Sequence, residues 1–365
     1  MKKLTIDKPF LFSVLILTLG GFFVFTSASL GLLARDGARF GAIAWNQALG
    51  LGLGLVALFV TSKINYKFWK QYAFYFFIGA LLLNLLVFIP GVGFSHNGAS
   101  RWINFGSFSF QPSEFLKIAF IIYFAAWISH VREKVTTMKQ GLLPFLIIIG
   151  VVGAVLLAQS DTDTMVVIFC AGIAQLLVSG VPWKHLVLVC MLALIGLVGI
   201  AFLRPYVMER VKTFLNPADD PQGSGYQIQQ SLIAIGSGGL TGRGFGQSVQ
   251  KFNFLPEPIG DSIFAVSAEE FGFIGSVILI LLFLILAFRS LKIAGRIQDA
   301  FGGLFIVGIA ILIIVESFMN IASMLGIIPL SGMPLLFVSH GGTALVMVLA
   351  EMGIVLNISR YQKTL

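Results

Sequence analysis

Ten long apolar runs, separated by short polar segments, dominate this sequence of 365 residues. Each run holds roughly 17–25 residues, the length that an α-helix needs to cross the hydrocarbon core of a bilayer. Charged residues make up only 11% of the chain, whereas they make up about a quarter of soluble domains. Since a segment in lipid must satisfy its own backbone hydrogen bonds, these runs predict helices. The sequence therefore predicts an all-α, polytopic membrane protein, one domain over residues 1–365, with about ten transmembrane helices at 9–30, 40–61, 71–90, 111–129, 142–158, 164–181, 186–203, 262–288, 300–325 and 334–357.

The basic residues predict how these spans are oriented. Cytoplasmic segments of membrane proteins carry an excess of Lys and Arg. With a cytoplasmic N-terminus, the inner segments hold fifteen of the 24 basic residues. Both termini are therefore predicted to be cytoplasmic. The net charge of +8 indicates a cytoplasmic membrane face rather than a nucleic-acid partner.

A long polar segment, about residues 204–261, lies between spans seven and eight and is predicted to be an extracytoplasmic loop. It is rich in Gly, Pro, Asn, Asp and Gln, which are typical of turns, and loops of this length are usually functional. Asp261 ends it with a carboxylate directly before span eight. That carboxylate is either the N-cap of the following helix or a reactive group at the membrane–water boundary. The basic residues of the segment can hold a pyrophosphate or merely solvate the loop: Arg204, Arg210, Lys212, Arg243 and Lys251.

Within the long polar segment, the glycine-rich stretch 236–246 resembles a phosphate cradle at first sight. It fits neither the dinucleotide fingerprint nor the P-loop pattern, and no strand–helix context surrounds it. We therefore interpret it as tightly packed or flexible backbone.

An earlier outer segment contains a polar turn with Arg101. It is followed by the sequence Gln-Pro-Ser-Glu, which begins span four. Glu114 and Lys117 are three residues apart and so share a helix face. One interpretation is a helix with an internal ion pair. The other is a polar cavity in which these charges bind a substrate, because charges near the bilayer are costly unless they face such a cavity.

The short turn Gln159–Met165 carries two carboxylates, Asp161 and Asp163. A helix N-cap is the interpretation that we favour for either residue. Asp161 is also a weak candidate for a metal ligand, and a divalent cation such as Mg²⁺ or Mn²⁺ is the only cofactor that the sequence suggests.

Two features of the later spans bear on the interior of the bundle. Glu269, Glu270, Glu316 and Glu351 lie at apolar depth, where acids face the bundle interior or an aqueous cavity. The stretch from Gly326, with two prolines and a Gly pair, is predicted to break or re-enter the membrane rather than span it.

Five motifs, in this order, resemble those of the SEDS family (shape, elongation, division and sporulation), the group that contains FtsW, RodA and SpoVE. They are NGASRWI, QPSEFLK, NPADDPQGSGYQIQQSLIAIGSGGLTGRGFGQS, QKFNFLPEPIGDSIFAVSAEEFGFIG and IPLSGMPLLFVSHGG. With the ten spans, the resemblance covers essentially the whole chain. The Gln-Lys pair after the glycine-rich stretch favours the FtsW/SpoVE branch over RodA.

The resemblance implies a peptidoglycan glycosyltransferase that polymerises lipid II at the outer face of the cytoplasmic membrane, for cell division or cell shape. It implies a class B penicillin-binding protein, a transpeptidase, as partner, together with other divisome or elongasome membrane proteins. Asp261 matches the essential carboxylate of the family's Leu-Pro-Glu-x-x-x-Asp motif and is the predicted general base. The predicted substrate-binding residues, for lipid II and the undecaprenyl-linked glycan, are Arg101, Glu114, Lys117, Arg210, Lys251, Glu257 and Ser339.

This chain departs from the family pattern in four motifs. Gln-Pro-Asp-x-Gly-Thr becomes Gln-Ser-Asp-Thr-Asp-Thr, with Ser160 and Asp163 in place of Pro and Gly. Ser262 follows Asp261 where Phe is usual. Near the end, Pro-Leu-Pro-Phe becomes Pro-Leu-Leu-Phe and Ser-Tyr-Gly-Gly becomes Ser-His-Gly-Gly, with His340. These changes affect local turns, while the predicted base and its cationic neighbours remain.

The chemistry also follows from the residues. Glycosyl transfer from a pyrophosphate donor needs a base for the acceptor hydroxyl and cations for the departing phosphates. Because the donor is already activated, one carboxylate suffices, unlike the pair used in glycoside hydrolysis. Two other functions stay open: a flippase or ion-coupled carrier, and a non-catalytic division scaffold. Carriers often show inverted repeats, and this sequence shows none.

Overall fold

The computed structural model describes residues 6–35, 37–96, 99–105, 108–217 and 223–363. Residues 97–98 of the NGASRWI motif and 218–222 of the long polar segment lie outside them. The helices of the described ranges are α1 (Lys8–Arg35), α2 (Gly37–Lys63), α3 (Tyr66–Gln71), α4 (Ala73–Leu86), α5 (Pro112–Val131), α6 (Leu143–Ala158), α7 (Thr162–Val178), α8 (Trp183–Leu203), α9 (Pro205–Leu215), α10 (Ser224–Ser237), α11 (Ile263–Ala294), α12 (Ala300–Met324) and α13 (Gly342–Ser359). A 3₁₀ turn, Arg132–Thr136, and a π turn, Met138–Leu142, join α5 to α6.

The predicted all-α, polytopic membrane fold is confirmed. In the described part of the chain, eight helices are long and apolar enough to cross a membrane, and Ala73–Leu86 and Thr162–Val178 are shorter apolar helices. The count of ten spans stays a prediction. The last span was predicted to begin at residue 334, but α13 begins at Gly342. The prolines and glycines before it explain the difference, since Pro donates no backbone hydrogen bond and clashes with the preceding turn.

Helices α12 and α13 form the centre of the bundle. Helix α12 packs against α5, α7 and α11, while α13 packs along α2. Helix α8 lies at the edge, with only 11% of its apolar stretch buried. The acids that the sequence places at apolar depth are buried, which confirms that they face the interior: Glu269, Glu270, Glu316 and Glu351.

A small antiparallel sheet, which the sequence did not predict, joins α4 to α5. Its strands β1 (Gly93–His96), β2 (Ala99–Phe105) and β3 (Phe108–Phe110) lie in the order β1-β2-β3. Ile103 pairs with Gly93 on one side and with Phe110 on the other. The sheet positions Arg101 on β2.

Two irregular segments meet beside the start of α11. We call residues 257–262 the Asp261 turn and residues 326–341 the connector. The connector is not helical, which confirms the predicted break, and Leu335–Val338 within it are buried. His340 N–H donates to the Ile259 carbonyl at 2.7 Å and Ser339 Oγ to the Gly260 carbonyl at 2.8 Å. These bonds hold the turn against the connector.

Candidate functional site

Asp261 lies just outside helix α11. Hydrogen bonds within the Asp261 turn and one from α12 hold the backbone of this turn. Ser262, not Asp261, occupies the N-cap position of α11 and makes no side-chain cap, so the N-cap interpretation of Asp261 is wrong. Glu257 has a positive φ of 46°, and its carbonyl accepts from the N–H groups of Gly260 and Ser262 at 3.1 and 3.2 Å. Asn320 Nδ2 donates to the Asp261 carbonyl at 2.8 Å. These contacts hold the backbone of Asp261 and do not involve its carboxyl group.

Arg210 of α9 reaches the same place from another direction. Both side chains come close to Gly332 of the connector. If this glycine carried a Cβ atom, that atom would lie 3.8 Å from Asp261 Oδ2 and 3.6 Å from Arg210 Nη2. Arg210 Nη1 donates to Asp163 Oδ2 of α7 at 2.8 Å, and Gly332 N–H donates to that oxygen at 3.2 Å. The Asp261 turn, α9 and the connector thus place a carboxylate oxygen and a guanidinium nitrogen within 4 Å of one point beside Gly332.

The surroundings raise the pKa of Asp261 to about 7. Burial is the largest cause, followed by the negative charges of Glu257 and Asp163, while the positive charges of Arg210 and Arg101 oppose the rise in pKa. A carboxylate whose pKa lies near the working pH is well suited to general base catalysis, because it combines useful basicity with a large ionised fraction.

Arg101 lies next to Asp161 at the start of α7. Its side chain donates to the Gln159 carbonyl at 3.5 Å and to the Ser160 carbonyl, and Nη1 lies 3.7 Å from Asp161 Oδ1. The N-cap role predicted for Asp161 is wrong, because its side chain makes no cap hydrogen bond although it stands at the N-cap position. Arg101 instead satisfies carbonyls that the end of α6 leaves free.

Glu114 and Lys117 form the predicted ion pair on one face of α5, with 2.9 Å between Glu114 Oε1 and Lys117 Nζ. Lys117 Nζ also lies 2.6 Å from Oε2 of Glu316 on α12. All three side chains are buried. Glu351 of α13 is within electrostatic range of the same lysine. This cluster joins three central helices.

Comparisons with known proteins agree with this architecture. Residues 8–364 match the FtsW/RodA/SpoVE family, described as a cell cycle protein. The chain belongs to the SEDS family. It is 38% identical over 351 residues to stage V sporulation protein E of Bacillus subtilis strain 168, covering 96% of each chain. It is likewise 38% identical to the probable peptidoglycan glycosyltransferase FtsW of Geobacter sp. strain M18, covering 97% of this chain and 96% of that one.

Solved structures show the same fold for this SEDS protein. It superimposes on a chain of a peptidoglycan synthase complex, described as "Structural coordination of polymerization and crosslinking by a peptidoglycan synthase complex". The TM-score is 0.81 and the sequence identity is 27%, over 98% of both chains. It superimposes on the rod shape-determining protein RodA of Thermus thermophilus with a TM-score of 0.71 and 28% identity over 100% of both chains.

Two of the predicted substrate-binding residues lie in supporting positions in this SEDS protein. Ser339 Oγ accepts from Leu335 N–H at 2.8 Å while it donates to Gly260, so it braces the Asp261 turn. Lys251 is fully enclosed, with Nζ 2.7 Å from Glu270 Oε1 and 3.2 Å from Ser27 Oγ. Whether either residue contacts substrate stays a prediction.

The glycine-rich stretch is packed backbone, which is one of the two predicted alternatives. Arg243 and Gly244 N–H donate to the carbonyls of Glu269 and Glu270 at 3.0 and 2.9 Å. These carbonyls are free because α11 is interrupted at Gly272, whose φ is 65°. The stretch thereby supplies hydrogen bonds that the broken helix lacks. A side chain at Gly242 would collide with the Glu270 carbonyl.

Sequence reasoning missed Asn320 and Gly332. Asn320 is buried on α12, and Nδ2 bridges the carbonyls of Asp261 and Met333 at 2.8 Å each. A single amide in an apolar run was the signal that could have found it. Gly332 had no such signal. Among the described residues, no group of three or more His, Cys, Asp or Glu side chains could hold a metal ion.

Proposed function

We propose that this SEDS protein is a peptidoglycan glycosyltransferase that polymerises lipid II, with Asp261 as the general base. The observation that carries the proposal is that Asp261 Oδ2 and Arg210 Nη2 both lie within 4 Å of the same point, the Cβ position of Gly332. A base and a cation at this spacing match the two needs of glycosyl transfer from a pyrophosphate donor. The naming of its relatives as probable peptidoglycan glycosyltransferases supports the same reaction.

In the proposed reaction, Asp261 accepts the proton of the acceptor hydroxyl. The hydroxyl oxygen forms a new bond to the anomeric carbon of the donor. The bond from that carbon to the pyrophosphate oxygen breaks, and undecaprenyl pyrophosphate leaves with the electron pair. Arg210 stabilises the negative charge that develops on the leaving group, since a guanidinium matches phosphate geometry.

The test is polymerisation of labelled lipid II by the purified protein, with and without a class B penicillin-binding protein. We expect glycan polymer in both reactions and more of it with the partner. The related structure of a complex that couples polymerisation and crosslinking supports this partner. Translocation of lipid II across liposomes without polymer would instead establish a carrier. Absence of both activities, with recruitment of division proteins intact, would establish a scaffold.

We also propose that the protein resides in the bacterial cytoplasmic membrane with both termini cytoplasmic and the Asp261 turn outside. The distribution of basic residues supports this orientation. A reporter that is active only outside should work when fused near Gln222, which lies outside the described residues, and should fail at Arg296. The opposite pattern would overturn the orientation and the location of the reaction.

A further inference from the structure

One carboxylate oxygen at the site holds two different elements in place. Asp163 Oδ2 accepts from Arg210 Nη1 at 2.8 Å and from Gly332 N–H at 3.2 Å. Asp163 is in the first turn of α7, Arg210 is on α9, and Gly332 is on the connector. The ion pair is partly shielded, with 13% of the Asp163 side chain and 29% of the Arg210 side chain exposed. Asp163 thus ties α9 to the wall of the site.

The two arginines of the site differ in how they are bound. Arg101 donates to the carbonyls of Gln159 and Ser160 in addition to its pairing with Asp161. In the part of the chain that the structure describes, the hydrogen bonds of Arg210 go to Asp163 alone. Several contacts therefore hold the side chain of Arg101 in place, whereas the loss of the single contact with Asp163 would release the side chain of Arg210.

The second terminal nitrogen of the Arg210 guanidinium, Nη2, lies near the carboxylate of Asp261. Its Nη2 lies 3.6 Å from the Cβ position at Gly332, and Asp261 Oδ2 lies 3.8 Å from that same position. An anion that enters beside Asp261 would therefore meet the guanidinium that Asp163 already neutralises. A phosphate with two oxygens is a better partner for a guanidinium than one carboxylate oxygen, because it accepts two parallel hydrogen bonds.

We propose that Asp163 is a built-in anion that occupies Arg210 in the resting protein, and that the pyrophosphate of the substrate displaces it. Asp163 is then a positioning residue that acts through Arg210 and limits the affinity for the donor. The proposal rests on the proposed function for the identity of the substrate. The contact between Asp163 and α9 does not depend on that function.

The decisive experiment is a double-mutant cycle on lipid II polymerisation. Asp163→Asn keeps the shape of the side chain and a carbonyl oxygen for Gly332 N–H, but removes the charge. We expect KM to fall by about two- to fivefold, the range of a partly exposed ion pair. Arg210→Met should raise KM. Asp163→Asn should have no further effect on KM in the Arg210→Met background, because the residue acts through Arg210.

The pH dependence supplies a second readout that a purely structural residue would not change. Asp261 faces the negative groups Glu257 and Asp163 and the positive groups Arg210 and Arg101. Removing the charge of Asp163 should lower the pKa of Asp261 and move the acid limb of the pH–rate profile to lower pH. Arg210→Met should move that limb to higher pH. Glu133→Gln, at an exposed carboxylate of the Arg132–Thr136 turn, is the matched control and should leave both KM and the profile unchanged.

Hydrogen exchange tests the contact without any substrate. Amides of α9 should exchange faster in Asp163→Asn than in the wild type, while those of α12 should not change. Unchanged exchange in α9, or a KM that stays the same or rises in Asp163→Asn, would overturn the proposal. A fall in KM that persists in the Arg210→Met background would also overturn it, because the carboxylate would then act on the substrate directly. The wild type could make no polymer while the α9 amides still exchange faster in Asp163→Asn. In that case the proposed function is wrong, but the contact between Asp163 and Arg210 is confirmed as the one that holds α9.

Discussion

Asp261→Asn is expected to lower the rate of lipid II polymerisation by about 10²–10⁴-fold, the usual contribution of a general base. Asparagine keeps the size of the side chain but cannot accept the proton of the acceptor hydroxyl. The backbone contacts of the turn, from Asn320 to the Asp261 carbonyl and from Ser339 to the Gly260 carbonyl, do not depend on the carboxylate. The loss should therefore appear in kcat, with much less change in KM.

A matched control comes from the opposite end of the bundle. Asp299 caps α12, with Oδ2 accepting from Gly302 N–H at 3.0 Å. Asp299→Asn removes the same charge from another helix start and should polymerise at close to the wild-type rate. If Asp261→Asn also polymerises normally, the assignment of the base is wrong. Glu257 is then the next carboxylate to test, because its charge acts on Asp261 from the same turn.

The pKa of Asp261, raised to about 7, gives this variant a pH signature. The wild-type rate should rise as pH increases through about 7, because the carboxylate must be ionised to act. The folded protein holds the Asp261 proton more tightly than the unfolded chain, whose pKa for Asp is about 3.9. The stability from this group is thus fully present below about pH 4 and is lost as pH rises through about 7. Melting temperatures in detergent should therefore increasingly favour Asp261→Asn as pH rises from 5 to 8.

The sequence predicted the parts of the fold that depend on local pattern. Apolar runs of span length predicted the helices, and the prolines of the connector predicted its break. The start of α13 was placed too early because apolar residues of the connector, such as Leu335 and Phe337, read as part of a span. Burial against neighbouring segments, rather than helix formation, explains why these residues are apolar.

The sequence predicts contacts between neighbouring residues of the site, but it does not predict contacts between distant segments. The pair of Glu114 and Lys117 follows from a separation of three residues on a helix. The pairing of Lys117 with Glu316 joins positions 199 residues apart, and that of Arg210 with Asp163 joins positions 47 residues apart. No local pattern predicts such pairs. For the same reason the local pattern favours an N-cap role for Asp163, although its partners are an arginine and a backbone amide from two other elements.

Lys117→Met is expected to reduce the free energy of unfolding by about 3–5 kcal/mol, the cost of removing one partner of a buried ion pair. Only 1% of Lys117 is exposed, and its loss would leave the carboxylates of Glu114 and Glu316 without their counter-ion in the bundle interior. Thermal unfolding in detergent measures the effect, and Lys184→Met, at an exposed lysine, is the control.

Changing the two acids as well, in the triple variant Glu114→Gln/Lys117→Met/Glu316→Gln, tests the reason for that loss. It should recover most of the lost stability, because no charge is then left unpaired among these three positions. The sequence assigned Lys117 to substrate binding, and the same variants decide between the two roles. If Lys117→Met unfolds at the wild-type temperature and instead raises KM for lipid II, the lysine binds substrate and its ion pairs contribute little to the fold. If the triple variant regains stability and also polymerises lipid II with a normal KM, Lys117 acts by joining α5 to α12 rather than by binding the phosphates.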